Sequence, residues 1–149
     1  MQRREFIGVT TGAFAGALAG SLVASAEGSA ATPLLQRIIP SSGEKIPVIG
    51  LGTSGPFEVG FAAEQRAPLG AVLEAFFAGG GTFIDTSPMY STAEAVLGDL
   101  LTPAMQERAF IATKVWTRGE QDGVRQMTRS RELLRRRKID LMQVHNLLD

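Results

Sequence analysis

The sequence predicts a parallel α/β fold built from repeated strand–helix units. Short apolar runs alternate along it with stretches in which apolar residues recur at helical spacing. Clusters of Gly, Pro and Ser separate the two kinds of segment. Buried strands joined by amphipathic helices pair in parallel through right-handed crossovers. After an N-terminal hairpin the order is β-α-β-α-β-α-β. Two architectures satisfy it, a doubly wound open sheet and a (β/α)8 barrel.

The elements follow in order. Residues 27–35 (EGSAATPLL) form a linker. The runs QRIIP and KIPVIGLG flank Ser41-Ser42-Gly43, which is turn chemistry, so residues 36–52 contain a hairpin. Its second run continues into a first core strand at 48–52. A loop rich in glycine and proline spans 53–66. Leu69, Val72, Leu73, Phe76 and Phe77 mark a helix over 69–77, stopped by Gly79-Gly80-Gly81. A strand covers 82–85. Ala93, Val96, Leu97 and Leu100 mark a second helix over 92–101, with Pro103 beyond its end. A third strand covers 109–115. Val124, Met127, Leu133 and Leu134 mark a third helix over 124–137, and a fourth strand covers 139–144. The run Arg135-Arg136-Arg137-Lys138 reads as the solvated end of that helix, where cations complement the helix dipole.

Composition narrows the function. Fifteen Lys and Arg balance 15 Asp and Glu, which argues against nucleic acid or an anionic surface as the partner. The chain has no cysteine, so disulfides, thiolate metal sites and cysteine nucleophiles are excluded, and no metal site is expected. Arg3 and Arg4 precede an uncharged stretch over 6–26 that ends in Ala24-Ser25-Ala26. That pattern predicts an export signal over 1–26 and resembles a twin-arginine signal. It implies engagement of the twin-arginine export machinery and a periplasmic or exported mature protein. Left uncleaved, the segment would be a membrane anchor; once it is cleaved, no membrane contact is expected. Because that pathway carries folded proteins, it suits an enzyme that takes up its cofactor before export.

Four residues carry the chemistry. Asp85 and Tyr90 lie in FIDTSPMY, Lys114 ends FIATK and His145 ends LMQVH. Tyr90 is the only tyrosine and His145 the only histidine. Each alone has an ordinary structural reading: a turn cap, a half-buried phenol, a solvated amine, a hydrogen-bonded imidazole. Delivered together by successive strand ends, they form a candidate proton-transfer site. Gly50-Leu51-Gly52-Thr53-Ser54-Gly55 has two readings. It matches the G-x-G-x-x-G of a Rossmann dinucleotide fold, yet Pro56 and an irregular loop follow where a helix should open. Alternatively, Gly52 and Thr53 turn the chain at the top of a barrel strand, where a small residue lets a ligand approach the backbone.

GLGTSG, FIDTSPMYSTAEAVLG, AFIATKVW and IDLMQVHN together resemble the aldo/keto reductases, and QRIIPSSGEKIPVIG resembles the hairpin that caps the barrel bottom in that family. The resemblance covers residues 36–148. It implies a (β/α)8 barrel that uses NADPH, less often NADH, to reduce aldehydes and ketones. By the same resemblance Asp85, Tyr90, Lys114 and His145 are the catalytic positions. Tyr90 gives a proton to the carbonyl oxygen, and the Lys114 ammonium stabilises the charge left behind. Asp85 holds Lys114, and His145 donates to the developing oxyanion. Gly52, Thr53 and Asp85 would meet the cofactor, while Trp116 and His145 would line the pocket of a small carbonyl substrate. Ser91 stands where the family usually has glycine, and Arg131 where it often has leucine. A full barrel needs about 250 residues, so the chain resembles the N-terminal half of such a reductase, with about four of its βα units. The expectation for this half alone is weak cofactor binding and no turnover. The alternative is a non-enzymatic half-barrel that serves in binding or assembly. Substrate identity and oligomeric state are not legible in the sequence.

Overall fold

The computed structural model describes residues 33–146. The export signal expected over 1–26 lies outside them. The hairpin forms as anticipated. β1 (Gln36–Ile38) and β2 (Lys45–Pro47) pair antiparallel with Arg37 opposite Ile46. Gly43 closes their turn at φ 74°, donating its N–H to the Ile39 carbonyl at 2.8 Å. The second run does not continue unbroken into the core. Val48 N–H bonds back to the Leu35 carbonyl, and the next strand, β3 (Gly50–Gly52), belongs to a different sheet.

That second sheet has four parallel strands in sequence order: β3, β4 (Phe83–Asp85), β5 (Phe110–Val115) and β6 (Leu141–Val144). A doubly wound sheet reverses strand order at a switch point. Here each strand adds beside the previous one, as successive units of a (β/α)8 barrel do.

Four helices connect the strands. α1 (Ala63–Ala78) starts well before residue 69, inside the expected loop, and runs through Pro68. Proline inside a helix removes a hydrogen bond, which is why the sequence suggested a later start. The turn before Pro68 is held by side chains instead. Gly60 N–H donates to Gln65 Oε1 at 3.1 Å, Arg66 Nε donates to the Gly60 carbonyl at 2.8 Å, and Arg66 pairs with Asp99. α2 (Ala93–Leu100) matches expectation. α3 (Pro103–Arg108) was not anticipated. Thr102 caps it by accepting from Met105 N–H at 3.3 Å, and Pro103 opens its first turn, so the proline read as a stop is a start.

α4 (Glu120–Leu133) lies one turn earlier than 124–137. Its buried face carries Gly123 and Ser130, whereas Val124 is 52% exposed. A polar residue on the inward face shifted the apparent apolar phase. The helix ends at Leu133, and the chain turns away at Arg135, which takes the left-handed φ of 54°. The basic run is therefore not a uniformly solvated cap. Arg135, Arg137 and Lys138 are exposed, but Arg136 is turned inward. Its guanidinium donates to the carbonyls of Gln106 at 2.9 Å and Ala109 at 3.1 Å, and to Asp140 at 3.1 Å.

The core lies between the sheet and its helices. Leu69, Leu73 and Phe77 of α1, Val96 and Leu97 of α2, Ile84, Ile111 and Leu134 are its larger members, with Phe57 from the loop. Gly98 lets α2 and α4 approach closely, since a Cβ there would lie 1.9 Å from the Leu133 carbonyl oxygen. Among the described residues no helix is long and apolar enough to cross a membrane.

Candidate active site

Strand register decides which side chains meet. Asp85 ends β4 opposite Ala112 of β5, and Lys114 of β5 stands opposite Gln143 of β6. Lys114 is two residues beyond Ala112, and His145 is two residues beyond Gln143. Because side chains alternate across a strand, steps of two keep all of these groups on one face. The opposite face of β5 is taken by Thr113, which points to the helices and donates to Glu94 of α2 at 2.6 Å. Lys114 therefore faces the other way, with Asp85 and His145.

The Lys114 ammonium is the hub. It donates to Asp85 Oδ2 at 2.7 Å and to the Thr86 carbonyl at 2.9 Å, and it lies 5.2 Å from the centroid of the Tyr90 ring. The side chains of Lys114 and Asp85 are 13% and 33% exposed, so the pair is screened but open on one side. A cation this close to an aromatic ring and a carboxylate is attracted to both. Tyr90 also stands edge-on to His145, with ring centroids 5.8 Å apart at 83°. Thus Asp85, Tyr90, Lys114 and His145 converge on one mouth at the C-terminal ends of the strands.

Local structure holds each group. Tyr90 sits in the loop after β4, where its N–H donates to the Ser87 carbonyl at 3.0 Å and its own carbonyl accepts from Ala93 N–H at 2.9 Å. The next residue, Ser91, adopts φ 46°. Glycine enters that left-handed region freely, while serine does so at a cost of about 1 kcal/mol, which explains why glycine suits this position. His145 N–H bonds to the Val115 carbonyl at 2.9 Å, extending the β5–β6 ladder to the imidazole.

The remaining candidates lie differently. Thr53 is fully buried, and both its N–H and its hydroxyl donate to the Asp85 carbonyl at 3.1 Å. Its side chain serves the Asp85 main chain and does not reach the mouth. Gly52 precedes it at the open strand end, where a Cβ would meet nothing within 4 Å. Trp116 is 44% exposed beside the mouth, its carbonyl held by Gln126 Nε2 at 3.1 Å. The Rossmann reading of Gly50–Gly55 fails on geometry. Gly50 and Gly52 are the strand itself, and the next helix opens only at Ala63, so no helix N-terminus faces the glycines. Among the described residues no group of three or more His, Cys, Asp or Glu is placed to hold a metal ion.

Two polar residues escaped the sequence reading. Ser87, fully buried, lies 2.9 Å from His145 Nδ1 through its hydroxyl. Glu94, 2% exposed, accepts from Thr113 and Ser130 behind Lys114. Burial raises its carboxyl pKa; the two hydroxyls and the Lys114 charge oppose that rise. Ser87 lies within FIDTSPMY and Glu94 within a helix, but nothing local pairs either with its distant partner, so only the fold shows that they meet the site.

Comparison with known proteins gives a consistent picture. The model of the aldo/keto reductase family matches residues 48–147. Over 82 residues, 54% of the chain, the sequence is 38% identical to pyridoxal 4-dehydrogenase from Microbacterium luteolum, covering 23% of that protein. An aldo-keto reductase from Klebsiella pneumoniae, solved in complex with NADPH, superposes with a TM-score of 0.63 at 28% identity, over 75% of this chain and 40% of that one. A thermostable aldo-keto reductase solved with the inhibitor epalrestat gives 0.66 at 28% identity, over 75% of this chain and 43% of that one. The chain spans less than half the length of these relatives.

Proposed function

Since the chain belongs to the aldo/keto reductase family, we propose that its four strand-end groups form the proton-delivering half of a site that reduces aldehydes and ketones with NADPH. The observation that carries this reading is the contact set of Lys114, which touches Asp85 at 2.7 Å and lies 5.2 Å from the Tyr90 ring.

The open end of β3 at Gly52, beside Asp85, is compatible with a flat ring lying against the strand ends, and a relative was solved with NADPH. When bound, the nicotinamide supplies hydride to the carbonyl carbon. The chain's own groups manage the proton and the charge. Tyr90 is the proton donor to the carbonyl oxygen. The Lys114 ammonium stabilises the phenolate that remains. Asp85 keeps that ammonium in place and charged. His145 orients the carbonyl and donates to its oxygen as charge develops. Trp116 offers an apolar wall at the rim. NADH as an alternative cofactor, the export route through the twin-arginine machinery and a periplasmic location remain parts of this proposal.

The reading also holds that this chain alone binds NADPH weakly and shows no turnover, since it spans 40% of the NADPH-bound relative. The test is loss of NADPH absorbance with small aldehydes, by the chain as it stands and by a fusion carrying the C-terminal half of the Klebsiella reductase after β6. Turnover in the fusion, abolished by Tyr90→Phe, is expected. A fusion that folds and binds NADPH yet reduces nothing, or that works equally well with Tyr90→Phe, would overturn the proposal in favour of a non-enzymatic half-barrel.

A further inference from the structure

The single histidine of the chain is wired on one side. Its Nδ1 lies 2.9 Å from Ser87 Oγ, and the same oxygen receives the Met89 main-chain N–H at 3.1 Å. A serine hydroxyl has one proton to give and two lone pairs to offer. The Met89 N–H uses one lone pair. Ser87 is fully buried, so water cannot take its proton, and a buried donor needs an acceptor. Among the described contacts of Ser87 Oγ, an unprotonated Nδ1 is the group that can accept. The reverse arrangement, with Nδ1–H donating to Ser87, would strand the hydroxyl proton at a cost of about 1–3 kcal/mol.

We propose that Ser87 is a positioning residue that selects the tautomer of His145 with its proton on Nε2. An imidazole that accepts at Nδ1 carries its hydrogen on the other nitrogen. Nε2 lies across the ring from Ser87, so the mouth is offered an N–H and not a lone pair. The consequence for catalysis rests on the reductase reading, because a donor at this place is what a developing oxyanion needs. The tautomer assignment itself does not depend on that reading.

The test is nitrogen-15 NMR of the full chain labelled at histidine, with one imidazole and therefore no assignment problem. At a pH where the ring is neutral, the wild type is expected to show an unprotonated Nδ1 and a protonated Nε2. Ser87→Ala should lower the ratio of Nε2–H to Nδ1–H by about tenfold, the hydroxyl's share of the preference, and Ser87→Thr should restore it. A wild-type spectrum with Nδ1 protonated overturns the proposal even if Ser87→Ala does not fold. So does a ratio that Ser87→Ala leaves unchanged in a variant with native circular dichroism. In the fusion, Ser87→Ala should lower kcat more than it raises KM. If the tautomer shifts as expected but Tyr90→Phe leaves turnover intact, the reductase reading fails and the Ser87 assignment stands.

Discussion

Lys114 and Asp85, on adjacent parallel strands, are joined by a 2.7 Å contact that leaves the carboxylate one-third exposed. Water reaches the carboxylate side of the pair, so its contribution to folding is about 1 kcal/mol. The ammonium matters to the chemistry instead. Lys114→Met is expected to leave the melting temperature within a few degrees of wild type. In the fused reductase it should slow turnover by about 10²-fold or more. A variant that unfolds while the surviving fraction keeps full activity would mean that the pair is structural.

Gly98 and the Leu133 carbonyl make the contact between α2 and α4 as close as it is, with 1.9 Å left for a Cβ. Main chain cannot yield as a flexible side chain can. Gly98→Ala should therefore cost about 2–3 kcal/mol, the upper range for overpacking, although alanine favours a helix. Urea unfolding decides this, and an unchanged or higher midpoint would refute it.

Glu94 links three elements through Thr113 on β5 and Ser130 on α4. Burial raises its pKa in the folded state, so the folded chain keeps this proton at a pH where the unfolded chain has lost it. Its contribution to stability should then fall as pH rises from the ordinary glutamate value through the raised one, and level off above. Glu94→Gln should remove that slope. Glu94→Ala, which strands two buried hydroxyls, should cost about 2–3 kcal/mol. Unfolding free energies measured over a pH series test both statements. A wild-type minus Glu94→Gln difference that does not vary with pH would contradict the first.

Neighbouring arginines should behave differently. Arg136 is 12% exposed and Asp140 10%, and the guanidinium also serves three main-chain carbonyls, those of Gln106, Ala109 and Lys138. Without Arg136 the carboxylate keeps only the exposed Lys138 as its cation, at 3.2 Å, and the carbonyls lose their donor, so Arg136→Met should cost about 2–3 kcal/mol. Arg137 is exposed, and Arg137→Met should change stability by about 0.5 kcal/mol or less. Denaturation midpoints compared side by side test the contrast, and equal effects would reject it.

Much of this architecture is written locally. Phe83-Ile84-Asp85 and Phe110 to Val115 are apolar and short, and no long-range information is needed to read them as strands. Leu69, Leu73 and Phe77 mark the buried face of α1 by spacing alone. Asp85, Tyr90, Lys114 and His145 were legible as candidates because each ends or follows such a run, and strand ends are where a barrel presents chemistry. Other features depend on partners distant in the chain. The start of α1 requires Arg66 to find Asp99, and the inward turn of Arg136 requires the carbonyls of Gln106 and Ala109. The phase of α4 was misread because Ser130 is buried by its bond to Glu94, and hydrophobic periodicity is blind to a polar group made acceptable by a partner.

The alternation of strands and helices, the parallel sense of the sheet and the choice of candidate residues came from the sequence itself, since periodicity and punctuation act over a few residues. Only the tertiary structure decided that Lys114 reaches both Asp85 and Tyr90, that Thr53 turns away to support the Asp85 main chain, and that Ser87 meets His145. These contacts are set by strand register and helix packing, which sum weak interactions across the whole domain, and no local pattern encodes such a sum.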